Sequence, residues 1–107
     1  MTNLVHIFKK HADTKRITFR LVDKDSPKGI NIANWSNFSL VVDLNEFPQD
    51  SSTNVATISG VITDAAKGRV SFTPPGTIPL GKYFYTAKAN DSNGELFTFA
   101  QGKFNID

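Results

Sequence analysis

Apolar and polar residues alternate with a period of two along most of this chain. Ile17, Phe19 and Leu21 alternate with Thr18 and Arg20, and Phe38, Leu40, Val42 and Leu44 repeat the pattern. Such alternation puts one side of a strand in a core and the other in water. Gly, Pro, Asn and Asp punctuate the runs roughly every 8 to 12 residues, the spacing of an antiparallel sandwich or barrel. The pattern predicts strands over 4–9, 16–22, 38–44, 55–62, 69–73, 82–90 and 95–106, with a short edge piece at Ile30 and Ile32. The expected fold is therefore all-β, a single antiparallel β-sandwich of seven or eight strands with no amphipathic helix.

The breaks between strands carry turn chemistry. Asp23 to Gly29 joins Asx-capping residues, a Pro that fixes φ and a closing Gly. Asp91-Ser92-Asn93-Gly94 is a hairpin turn built on Asn-Gly. Pro74, Pro75 and Pro79 remove ladder donors, so the stretch around them is expected to cross between two sheets. Gly60 predicts a bulge or a close backbone approach within its strand, and Gly102 predicts a bulge in the last one.

The 107 residues suit one domain, 1–107, in which residues 1–12 form either a first strand or an arm that exchanges with a neighbour. Nine Phe, two Tyr and Trp35 are enough aromatic surface for one real core. With no cysteine, disulfides, thiolate chemistry and Cys-ligated metal sites are excluded. The net charge of +2 is unevenly spread: residues 1–28 carry seven bases against three acids, and residues 29–107 carry five against seven. The basic segment either seeks phosphate or an acidic protein surface, or simply guards solvated strand edges. No basic and apolar leader opens the chain and no apolar run approaches membrane-spanning length, so neither Sec-type secretion nor a membrane partner is expected.

Candidate chemistry is sparse. His6 and His11 stand five apart, which puts them on opposite faces of a strand and away from a shared metal. No motif sets Ser26, Ser36 or Ser39 beside a base, and the G-x-S-x-G elbow is absent, so no enzymatic activity, catalytic residue or cofactor is expected. Asp23 with Asp25, and Asp91 to Glu95, offer oxygen ligands of the kind calcium takes, but Asx-capped turns account for both. Counting faces outward from Tyr83, Tyr85, Ala100 and Phe104 turns Phe84, Phe97 and Phe99 to the outside, where they would form an apolar patch suited to a protein interface. Each base next to an aromatic points to the opposite face, so no nucleic-acid partner is expected. Trp35 is either a core anchor or a loop-tip platform for a glycan.

A resemblance sharpens this reading. The segments from Asp13 to Val22, Asp64 to Phe72 and Pro79 to Ala89, closed by Gly94 to Ile106, resemble in their order the N-terminal immunoglobulin-like domain of phage baseplate upper proteins and related phage tail proteins. The likeness covers 13–107, and its motifs are fold residues such as Tyr83, placed where a tyrosine corner sits. It implies an immunoglobulin-like sandwich and a non-enzymatic phage virion structural protein: a baseplate, tail, collar or head-decoration component, or a fibre adaptor. Its expected partners are other virion proteins, as a homo-oligomer or an assembly on a phage partner. Its expected location is the virion, after synthesis in the host cytoplasm. The alternative is a carbohydrate-binding module for host-surface attachment through Trp35.

Overall fold

A computed structural model describes residues 3–4, 7–9, 15–21, 29–46 and 51–107. The strands are β1 (Asn3–Leu4), β2 (Ile7–Lys9), β3 (Ile17–Arg20), β4 (Ser36–Asp43), β5 (Asn54–Asp64), β6 (Arg69–Phe72), β7 (Gly81–Asn90) and β8 (Leu96–Ile106). Among the described residues the only helical element is a 3-10 turn at Ser51–Thr53. Strands β3 to β8 pair antiparallel, and β1 and β2 add to β8 in parallel. Hydrogen bonds join them in the order β1-β8-β7-β4-β5-β6-β3, with β2 also on β8. The fold class is all-β, as the alternation requires.

One strand makes the sheet curl. The first part of β5 pairs with β4 as far as Ser59, opposite Ser39, and from Gly60, opposite Phe72, it pairs with β6. The glycine signal at position 60 marks this crossing. A Cβ there would stand 2.7 Å from both the Phe38 Cβ and the Phe72 Cε1, so the backbone must pass bare between two core rings. The short run after β3 is held by backbone bonds rather than a ladder. Leu21 N donates to Gly68 O, Ile30 N to Leu21 O and Ile32 N to Ala65 O, and Ile32 is fully buried. Gly68 has φ 73°, and a Cβ on it would lie 2.5 Å from Leu21 O, so this turn needs glycine twice over. The proline-rich stretch then carries the chain from β6 to β7, across to the other sheet as expected, with Pro74 and Ile78 buried.

Aromatic rings bind the two layers together. Phe19 of β3 meets Phe72 edge-on at 5.8 Å, Phe99 at 5.7 Å and Tyr85 at 6.2 Å. Phe99 also contacts Phe38 and Phe72, and Tyr85 contacts Phe104. Ring pairs of this kind add about 0.5–1.5 kcal/mol each beyond the area they bury.

Phe99 is in the core, 4% exposed, not on the outside where strict alternation puts it. The cause is a bulge. Ala87 pairs with Ala100 but Lys88 pairs with Thr98, so β8 has one extra residue at Phe99. An extra residue reverses the face of everything on one side of it. Phe97 and Phe99 therefore share the inner face with Ala100, Phe104 and Ile106, and Phe97 packs half-buried against the core. Gly102, where the bulge was expected, pairs in register with Tyr85.

Gly60→Ala should lower stability by about 1–3 kcal/mol, because the added methyl meets two core side chains that cannot both retreat. Urea unfolding checks this, and an unchanged midpoint would mean that β5 does not cross between the sheets at Gly60.

Candidate functional site

The two lateral edges of the sheet differ. At one, β8 is covered by the chain's own N-terminal residues in a single parallel register, from Asn3 opposite Ala100 to Lys9 opposite Ile106. The expected strand over 4–9 is thus met by β1 and β2 on their own β8; the other residues of 1–12, His6 and His11 included, lie outside the described residues. At the far edge is β3, which among the described residues pairs with β6 alone.

Sequence explains why β3 forms and how it faces. Ile17, Thr18 and Phe19 are β-branched or aromatic, which suits a pleated, half-buried surface. Ile17 and Phe19 turn inward and are half-buried, while Arg16, Thr18 and Arg20 are exposed. Thr18 Oγ1 and Ser71 Oγ share a 2.9 Å hydrogen bond that pins the pairing with β6. Lys15 and Arg16 lead into the strand and Arg20 ends it, so bases flank an uncharged middle.

The expected aromatic patch is much reduced. Phe84 alone keeps an outward position: it is half-buried between Asp43 on β4 and Lys103 on β8, with its neighbours Tyr83 and Tyr85 buried on the other face. Trp35 is half-buried against the core, stacked on Phe38 at 6.3 Å and edge-on to Phe97 at 5.8 Å. It closes that end of the core.

Beside Trp35, a polar network organises the β7–β8 hairpin. Asn37 has φ 57°, tolerable for Asn, at an irregularity in the β4–β7 pairing. Its Nδ2 donates to Asn90 Oδ1, and Asn90 Nδ2 donates to Gly94 O. Asp91 Oδ1 accepts from the backbone N–H groups of Asn93 and Glu95. That acidic cluster is an Asx-capped turn, and Asp23, Lys24, Asp25 and Ser26 lie outside the described residues. Ser36 and Ser39 lie on β4, opposite Asn90 and Lys88 of β7. Among the described residues no three of His, Cys, Asp and Glu come together as a metal site.

Two buried polar atoms went unnoticed in the sequence. Asp43 is 3% exposed; its Oδ1 accepts from Asn45 N at 2.9 Å and Thr53 Oγ1 at 2.7 Å, while its Oδ2 is buried with no hydrogen-bond partner. The Tyr85 hydroxyl is likewise buried and unpartnered, and burial pushes the phenol well above its usual range. Tyr83, in contrast, donates its hydroxyl to Pro79 O at 2.8 Å, the backbone bond expected of a tyrosine corner.

No family model and no curated protein matches the chain. Solved structures do. CopC from Methylosinus trichosporium OB3b is similar over 99% of this chain and 83% of its own, with 14% identity and a TM-score of 0.50. An uncharacterized protein from Bacillus anthracis str. Ames is similar over 98% of this chain and 84% of its own, with 15% identity and a TM-score of 0.49. The likeness is one of fold. It also corrects the functional expectation. The resemblance to phage tail proteins rested on fold residues, whereas CopC is similar in fold along nearly the whole chain. The phage virion structural role falls with that resemblance, as does its carbohydrate-binding alternative, whose proposed platform Trp35 is half-buried against the core.

Because the native state raises the Tyr85 pKa, the unfolded chain releases this proton first as pH rises. The Tyr85 contribution to stability should therefore be constant below pH about 10, the ordinary tyrosine value, and fall above it. Urea midpoints across alkaline pH, compared with those of Tyr85→Phe, read this; an equally steep fall in the variant would contradict it.

Proposed function

We propose that this chain is a non-catalytic binding module with an immunoglobulin-like strand arrangement, which takes a protein partner as an added strand at β3. The observation that carries the reading is the asymmetry of the sheet: β8 is covered by the chain's own β1 and β2, while β3 ends the sheet with β6 as its one partner among the described residues. A strand edge presents backbone N–H and C=O groups that an extended peptide can pair with, which gives affinity without a pocket.

The strand arrangement supports the immunoglobulin-like description. Strands β3 and β6 lie on one side and β4, β7 and β8 on the other, β2 runs parallel along β8, and a tyrosine corner precedes the centre of β7. Thr18, Asn37, Thr53 and Asp91 spend their polar groups on turns, caps and cross-strand bonds. CopC contributes the shape alone to this reading.

A photo-crosslinking side chain at Thr18, exposed on β3, tests the proposal in extracts of the source organism. It should give discrete higher-mass adducts that the same group at Thr57, exposed on β5, does not. Equal adducts at both positions, or none at Thr18, would remove β3 as the binding edge.

A further inference from the structure

We propose that β3 takes an extended segment of another protein with the pattern apolar–x–apolar, its middle residue opposite Thr18 and its apolar residues opposite Ile17 and Phe19. The inference rests on the binding-module reading above and specifies its partner. It begins from a contrast within one layer. Ile17 stands opposite Phe72 and Phe19 opposite Val70, all four on the inner face. Phe72 and Val70 are 0% exposed, whereas Ile17 and Phe19 are only half-buried. The two rows differ in their neighbours. Strand β6 lies between β5 and β3, while β3 has β6 as its one partner among the described residues. The apolar surface that β3 leaves in water therefore lies along its open side. It is continuous with the core, because Phe19 reaches Phe72, Tyr85 and Phe99.

The backbone sets the register. Leu21, which follows β3, donates its N–H to Gly68 O, just beyond the pairing of Arg20 with Arg69. Successive residues of an antiparallel strand direct their N–H and C=O groups to alternate sides. Counting back from Leu21, Phe19 and Ile17 direct theirs toward β6, and Thr18 directs its own to the open side. A strand laid about 4.8 Å away thus bonds to the Thr18 backbone. The residue opposite Thr18 shares its outward face, and the residues on either side of that one fall opposite Ile17 and Phe19. Apolar side chains at those two positions would extend the core and take the open surface of Ile17 and Phe19 out of water.

An extended segment suits this edge better than a second folded copy of the chain. Strand β3 has four residues. Pairing between two such strands covers far less than the roughly 1,200 Å² that a stable interface between folded proteins buries. A segment without a fold of its own gains its affinity from backbone bonds and takes its specificity from alternate side chains, so it needs no broad matching surface. Here those alternate side chains are the two that meet Ile17 and Phe19, and the outward residue between them is unrestricted.

A displayed library of random decapeptides, selected on the folded protein, tests this. Compared with the unselected library, the enriched peptides should share two apolar residues separated by a single position. Binding should weaken roughly tenfold in Ile17→Thr, which keeps a strand-forming residue but removes one apolar contact. Amide exchange followed by nuclear magnetic resonance locates the peptide: the Thr18 N–H should exchange readily in the free protein and become protected on binding. Thr18→Pro removes that donor at an edge position where proline is tolerated, and should abolish binding. Thermal unfolding checks that both variants fold as the parent does, and the Thr18 exchange in the parent needs neither of them. Peptides that protect Thr18 but lack the apolar pair, or that bind Ile17→Thr equally well, would overturn the apolar partner and leave the β3 edge standing. Peptides that leave Thr18 unprotected, or no enrichment at all, would overturn both. Protection of Thr18 without peptide, in a protein that light scattering shows to be dimeric, would put a second copy on the edge and overturn the foreign segment.

Discussion

The whole domain hangs on the packing of Phe99. Its ring lies where the two layers meet, against Phe19 of β3, Phe72 of β6 and Phe38 of β4. Without it, β3 and β6 would face the other layer across a gap. Core truncations of this size cost about 3–5 kcal/mol, a large part of the stability of a domain this small. The ring reaches this position only because β8 has an extra residue opposite the step from Ala87 to Lys88. A second backbone constraint works beside it. Gly60 lets β5 leave one layer for the other between the Phe38 and Phe72 side chains, so bulge and glycine together close the sheet around one aromatic seam.

Much of this was legible in the sequence. Alternation placed β3 to β8 to within a few residues, and the prolines from Pro74 to Pro79 located the crossing between layers. The Asn-Gly turn, the close approach at Gly60 and the hydroxyl bond of Tyr83 followed from local chemistry. What alternation could not carry was the bulge. A period-two count is reliable only while the register holds, and no residue type in Thr98-Phe99-Ala100 announces an insertion. Phe97 and Phe99 were therefore assigned to the wrong face, and the expected interface fell to Phe84. Ile30 and Ile32 had the composition of a strand but are held by bonds to Leu21 and Ala65, a tertiary arrangement invisible to propensity. The burial of Asp43 beneath its bonds to Asn45 and Thr53 was equally hidden, since it follows from where the chain returns at residue 53.

Function was less legible than fold for a physical reason. A site built from backbone edges leaves no motif, because any strand offers the same donors and acceptors. What distinguishes one edge from another is the charge and face pattern of its side chains, and these are readable only once the edge is known to lie at the end of the sheet. For β3 that pattern is Lys15-Arg16 before, Arg20 after and two half-buried apolar residues between. The same seam that stabilises the fold thus also holds the proposed binding edge, since Phe19 fixes β3 by its contacts with Phe72 and Phe99.

The inward position of Phe99 is the central claim, and proton–proton contacts in a nuclear Overhauser spectrum test it most directly. The account predicts strong ring-to-ring contacts from Phe99 to Phe19 and Phe72, whose centroids lie 5.7 and 6.3 Å away. A Phe99 ring without those contacts, showing instead contacts to the exposed residues of the outer face, would mean that β8 runs without its bulge and that the core is assembled differently.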